Sequence, residues 1–277
     1  MRLVGIREAR TVSVAVQIGE RVTPVVEVGD FYADLPHWLD VAGKVTEGEL
    51  PVAEVELAPP VPPSARVVCI GLNYRAHAAE GGFIPPEHPT VFGRWVASLT
   101  AGGTPAPVPA DEPGLDWEGE VAAVVGRPLT DVDEATAAAG VLGYAAFNDL
   151  TARTAQKLTA QWTLGKNGDR SGPMGPLVTA DEAGTPADGW RVRTRVNGET
   201  VQDGNTRDMI FSVGDLLSRI SRTFTLHPGD VVATGTPEGV GYVRTPPWLL
   251  HPGDVVEVEI DHLGTVRTPV VGPEQRP

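Results

Sequence analysis

Apolar and polar residues alternate in the manner of short strands near residues 3–8, 12–18 and 23–28, with Gly19-Glu20 and Gly29-Asp30 as turn signals. Leu35, Trp38 and Leu39 then recur at helical spacing. The following stretch, LAPPVPPS from Leu57 to Ser64, can continue neither a ladder nor a helix, because proline lacks the N–H and fixes its own φ. This predicts a small β-rich unit over 1–58, a Pro-rich linker over 59–65 and a main domain over 66–277.

In the main domain, Arg66 to Leu72 (RVVCIGL) reads as a buried strand running into a helical turn over Asn73 to Glu80. Thr90 to Trp95 reads as another strand, with Arg94 and Trp95 as polar-tipped decoration of an edge. Two long apolar runs follow, one over Val121 to Val125 and one ending at Asp149. Trp190 to Val196 alternates into Asn197-Gly198, a strong hairpin signal. Ser212 to Phe224 has the apolar spacing of a packing helix. A near-repeat, Leu226 to Val232 and Leu250 to Val256, places Pro-Gly before a strand each time, so His227 and His251 read as turn residues.

The 277 residues are 41% hydrophobic and 21% charged, ordinary for a globular protein with a substantial core. A formal net charge of -14 and a pI near 4.8 argue against nucleic acid or anionic lipid as partner, since both need positive potential. Cys69 stands alone, so no intrachain disulfide is possible, and its setting VVCIG suggests inert packing. The charged N-terminus has no signal-peptide pattern and no apolar run approaches spanning length, so a cytoplasmic location is expected.

The candidate chemistry centres on Asp116 to Gln156. Glu118 and Glu120 project to one face of a strand otherwise fit for burial. An isolated pair of this kind also suits the wet face of an antiparallel strand, but here Asn148, Asp149, Arg153 and Gln156 keep it company. A hard divalent cation, Mg²⁺, Mn²⁺ or Ca²⁺, would relieve the carboxylates' repulsion and leave positions for a ligand. His77 and Glu80 lie three apart on a helical turn, where a carboxylate can fix one imidazole tautomer. Gly81 to Pro86 has the composition of a mobile lid. Lys166 sits in a glycine-flanked turn, and Thr234 to Gly241 offers hydroxyls and N–H groups suited to a carboxylate. Neither a Walker loop nor a dinucleotide fingerprint is present.

From about Arg66 onward the chain resembles the fumarylacetoacetate hydrolase family, through GLNYRAHAAE, DWEGEVAAVVG, GYAAFNDLTARTAQ, GKNGDRSGPMGP, NTRDMIF, HPGDVVATGTPEGVG and LLHPGDVVEVEIDHLGTVR in that order. The resemblance implies a mainly β fold with short helices, whose catalytic domain is a mixed β-sandwich roll. It also implies Mg²⁺ or Mn²⁺, a small 2-oxo acid substrate and a homodimer. By position, Glu118, Glu120 and Asp149 look like the metal ligands, His77 and Glu80 like the water-activating dyad, and Lys166 like a further catalytic group. Arg153, Gln156, Thr236, Gly235 and Tyr74 look like substrate contacts.

The implied activity is cleavage of a C–C bond in an acylpyruvate-type acid through an enolate held at the metal. The alternatives are decarboxylation or keto–enol isomerisation of a related acid such as oxaloacetate, or a non-catalytic metal and ligand-binding module. Four positions depart from the family's usual pattern near the expected pocket: Arg94 for lysine, Gly81 for methionine, Thr154 for aspartate and Gly168 for phenylalanine.

Overall fold

The computed structural model describes residues 1–82 and 84–273. Among them, thirteen strands form one sheet and five a second, and the helices are short, so the fold is mainly β as expected. Along the backbone of the large sheet the order is Leu50–Pro51, Arg21–Glu27, Thr11–Ile18, Arg2–Glu8, Leu177–Thr179, Val141–Asn148, Gly119–Val125, Val231–Ala233, Val67–Gly71, Thr90–Arg94. The small sheet runs Glu199–Asn205, Arg191–Val196, Val255–Ile260, Gly264–Val271, Ala106–Pro107.

The strand Gly119–Val125 lies at the centre, antiparallel to both neighbours and buried along its whole length. Val121, Ala123 and Val125 face one core with Val192, Val258, Leu216 and Leu217, while Ala122 and Val124 face another with Val14, Phe31 and Leu35. A strand covered on both sides needs apolar residues at every position, which is why the run does not alternate. Leu216 and Leu217 are fully buried, each contributing about 1.5–3 kcal/mol by removal from water. They sit on the helix Val213–Ser221, whose first turn is capped by Ser212 Oγ accepting from the Asp215 N–H.

Gly29-Asp30, read as a turn, lies instead inside the helix Val28–Ala33 that follows the third strand directly, whereas other signalled turns form. Asn197 (φ 50°) and Gly198 (φ 85°) join Arg191–Val196 to Glu199–Asn205, both in the left-handed region that a type I′ hairpin demands. The two Pro-Gly repeats fold alike, with the His227 and His251 N–H groups donating to Asp230 and Asp254.

Strands from both sides of residues 59–65 belong to the same large sheet. Arg2–Glu8 pairs with Leu177–Thr179 as well as with Glu56–Ala58, and Val61 is buried in the same core as Leu3 and Phe31. The Tyr32 hydroxyl donates to Pro60 O at 2.8 Å. Division of the chain at 58 and 66 therefore remains a proposal about sequence units joined by one continuous sheet. Phe83, within the expected lid loop, lies outside the described residues.

Candidate active site and metal centre

Glu118 and Glu120 share a face with Ala122 and Val124, so both carboxylates leave the end of the central strand on its buried side. The neighbouring strand Val141–Asn148 delivers Asp149 immediately after its last residue, and the Asp149 N–H donates to Glu118 O. Carboxylate oxygens of Glu118, Glu120 and Asp149 come within 4.8 Å of one another, and all three residues are buried. The structure thus brings together the three predicted ligands, 31 positions apart at the extremes, by register alone.

Cations meet two of the three. Lys166 Nζ donates to Glu118 Oε2 at 2.5 Å and to Asp149 Oδ2 at 2.7 Å. Arg153 donates to Glu118 Oε1 at 2.6 Å, to Asp116 Oδ2 at 2.8 Å and to Gln156 Oε1 at 2.9 Å. Glu120 accepts from the Gly235 N–H at 2.9 Å and has no ion pair among the described residues.

The protonation energetics follow from this distribution. Burial pushes the Glu118 carboxyl up, but Lys166 and Arg153 outweigh it and hold the group at about 2. Burial, then the charges of Asp149 and Glu118, push Glu120 well above the carboxylate range. Burial also opposes the charge on Lys166, yet Asp149 and Glu118 win and raise its affinity for the proton.

Four buried carboxylates (Asp116, Glu118, Glu120, Asp149) therefore share three buried cations (Arg94, Arg153, Lys166). The all-oxygen donor set, with one more carboxylate than it has cations, fits a hard divalent cation.

Arg94 is not edge decoration. Its strand, Thr90–Arg94, does lie at the end of the large sheet, but the guanidinium turns inward, is buried and donates to Asp149 Oδ1 and Leu150 O. Thr154 and Gly168 belong to a groove with Pro107–Glu112, on a different surface from the ligand cavity.

A cavity of about 270 Å³ opens onto the carboxylates and is walled by His77, Phe92, Arg153, Gln156, Lys157, Trp162, Lys166, Thr236 and Tyr242 among others. Leu72, at its rim between strand and helix, is held at φ 59°, a strained backbone for a branched side chain. His77 and Glu80 share the helix Arg75–Glu80, and His77 Nδ1 lies 2.7 Å from Glu80 Oε1. Glu80 Oε2 accepts from the Gly239 N–H at 2.8 Å, which ties this helix to the Thr234–Gly241 loop.

The remaining predicted contacts are placed less directly. The Thr236 hydroxyl donates to Gly119 O and accepts from Gln202, while the residue lines the cavity. The Gly235 N–H is committed to Glu120. Tyr74 is fully buried, and its hydroxyl has no protein partner among the described residues.

Residues 66–271 match the sequence model of the fumarylacetoacetate (FAA) hydrolase C-terminal family. The chain belongs to the fumarylacetoacetate hydrolase family. It is 42% identical over 219 residues to the oxaloacetate tautomerase YisK of Bacillus subtilis, covering 78% of this chain and 73% of that one. A putative HpcE protein from Mycobacterium smegmatis has a similar structure, with a TM-score of 0.89 and 32% identity over 99% of this chain and 100% of that one. The fumarylpyruvate hydrolase from Pseudomonas aeruginosa, solved with Mn²⁺ and pyruvate, superposes with a TM-score of 0.70 at 35% identity, covering 79% of this chain and 92% of that one. As a member of this fumarylacetoacetate hydrolase family the chain is an enzyme, which sets aside the reading of a non-catalytic binding module.

Sequence reasoning missed Asp116, which accepts from Arg153, from the Gly241 N–H at 2.6 Å and from the Tyr242 N–H at 3.2 Å. Its signal was available, since Asp116, Glu118 and Glu120 continue one alternation. Tyr242, with the Arg153 guanidinium 4.2 Å from its ring centre, carried no comparable signal.

Proposed function

We propose that this enzyme is a divalent-metal-dependent keto–enol tautomerase of a small 2-oxo acid, with oxaloacetate as the first substrate to test. The observation that carries the reading is His77, whose Nδ1 is held by Glu80 at the wall of the cavity that exposes Glu118 and Glu120. Glu80 as acceptor keeps the proton on Nδ1, which leaves Nε2 as the base. That nitrogen takes a proton from the carbon beside the oxo group, and the imidazolium returns it to the oxo oxygen. In the reverse direction the same two transfers regenerate the ketone. Arg153 and Gln156 orient the acid, and Lys166 keeps positive charge close to the reacting oxygen. Phe92 and Trp162, packed edge to face, limit water at the carbon. Glu118, Glu120 and Asp149 would hold a divalent cation, which when bound would supply electrophilic stabilisation of the negative charge that develops during the transfer.

The cavity's size supports a small acid, since about 270 Å³ falls just under the roughly 300–1,000 Å³ of sites for larger ligands. The similarity to an oxaloacetate tautomerase supports the same reading. A second reading, hydrolysis of an acylpyruvate, is favoured by the same dyad, because an imidazole fixed by a carboxylate can also deprotonate water. The similarity to a fumarylpyruvate hydrolase adds to it. A homodimer in the cytoplasm is part of the proposal; no helix among the described residues is long and apolar enough to cross a membrane.

The test is an assay with Mg²⁺ or Mn²⁺ on oxaloacetate, acetylpyruvate and fumarylpyruvate, following enol absorbance and identifying products. Faster equilibration of oxaloacetate without loss of carbon is the expected result. Cleavage of an acylpyruvate transfers the assignment to hydrolysis, and CO₂ release transfers it to decarboxylation. Absence of metal-dependent turnover on all three overturns it.

A further inference from the structure

Cations on the cavity wall differ in whether they are already matched. Arg153 is bound to Asp116 and Glu118, and Lys166 to Glu118 and Asp149. The His77 imidazole is bound to Glu80. Lys157 also lines the cavity, is exposed, and makes no ion pair among the described residues. Its ammonium is nevertheless placed rather than free in solvent, since Nζ lies 4.5 Å from the centre of the Tyr242 ring, which the Arg153 guanidinium also approaches.

The neutral groups of the wall can offer an anion at most a hydrogen bond, as the Tyr242 hydroxyl and the Trp162 N–H can, and no countercharge. Leu72, Phe92 and Trp162 are apolar or nearly so, and the Thr159 hydroxyl is bonded to the backbone of Gln161. A 2-oxo acid bound by its oxo-acid end against the carboxylate cluster directs its other end away from that cluster. If that end is charged, Lys157 is the cation left to receive it.

We infer that Lys157 is a specificity-determining residue that receives the second carboxylate of the substrate, and that the site prefers 2-oxo dicarboxylates over 2-oxo monocarboxylates. The inference rests on the proposed placement of a 2-oxo acid in this cavity, and it adds the charge of the far end. One hydrogen-bonded charge pair of this kind sets the scale at about tenfold in affinity.

The test measures equilibrium affinity of the Mn²⁺-loaded protein for oxaloacetate and for pyruvate, in wild type, Lys157→Gln and Lys157→Arg. The expected result is tighter binding of oxaloacetate by wild type and about a tenfold loss for oxaloacetate alone in Lys157→Gln. Lys157→Arg restores most of it. Equal affinity of wild type for the two acids, a preference retained by Lys157→Gln, or equal loss of both ligands overturns the inference. Lys157-dependent binding of oxaloacetate without tautomerisation leaves the inference standing and removes the proposed activity, so the two failures are distinguishable.

Discussion

The Arg94 guanidinium donates to Asp149 Oδ1 from behind the carboxylate cluster, and its five N–H groups are all matched. Nη1 reaches Ser98 Oγ and Ser171 Oγ at 3.1 Å, and Nη2 reaches Leu150 O at 2.8 Å and Ser171 O at 3.0 Å. This fixes one Asp149 oxygen and leaves Oδ2 facing Lys166 and the cluster. Removing one partner of such a buried pair costs about 3–5 kcal/mol, because the other charge is left uncompensated. Arg94→Met should lower stability by that order in urea denaturation of metal-free protein, and added Mn²⁺ should recover part of the loss. Arg94→Lys keeps the charge but serves fewer acceptors, and should fall between the two.

Glu120 predicts a pH dependence of metal affinity. Burial and the nearby Asp149 and Glu118 raise its carboxyl well above the ordinary value of 4.5, so without a metal it holds its proton where an exposed glutamate has lost it. A cation must displace that proton, so affinity should rise with pH up to the raised value and level off above it. Calorimetric titration with Mn²⁺ in two buffers of different ionisation enthalpy should register proton release; heats independent of buffer would count against it. Stripping the metal with a chelator should abolish turnover and leave the protein folded.

His77→Ala should lower turnover by about 10²–10⁴-fold, the usual contribution of a positioned base. Mn²⁺ affinity should change little, because the imidazole is not one of the cluster's three candidate ligands. A parallel loss of both would mean that His77 acts on the metal and not on the proton.

Gly239 sits at φ 99°, and a Cβ there would lie 2.3 Å from Val201 O. Gly239→Ala should therefore displace the loop, lengthen the bond from its N–H to Glu80 and cost about 1–3 kcal/mol of stability. Turnover should fall more than metal affinity, measured on the same preparation.

The strands and turns were legible where one local rule decides them, as in the Asn197-Gly198 hairpin. The alternation of Glu118 and Glu120 and the i,i+3 spacing of Arg153 and Gln156 announced part of the site. Arg94 could not be read this way. Its partners Asp149 and Ser171 are 55 and 77 positions away, and they meet it only after the sheet has closed. Continuity of the first three strands with the large sheet was hidden for the same reason. The prolines of 59–65 announce an interruption in secondary structure, while the pairing of Leu3 with Leu177 is a long-range event.

The loop Thr234–Gly241 reaches both halves of the chemistry through two amides four positions apart. The Gly235 N–H holds Glu120, and the Gly239 N–H holds Glu80, which in turn holds His77. The loop thus acts as a common datum from which the proposed proton carrier and a proposed cation ligand are both measured. A rigid drift of this segment carries the two together and preserves their spacing, whereas a bend between Gly235 and Gly239 changes that spacing directly. The enzyme's tolerance of motion should therefore depend on how stiff the stretch from Gly235 to Gly239 is, more than on how firmly the loop is anchored to the rest of the protein.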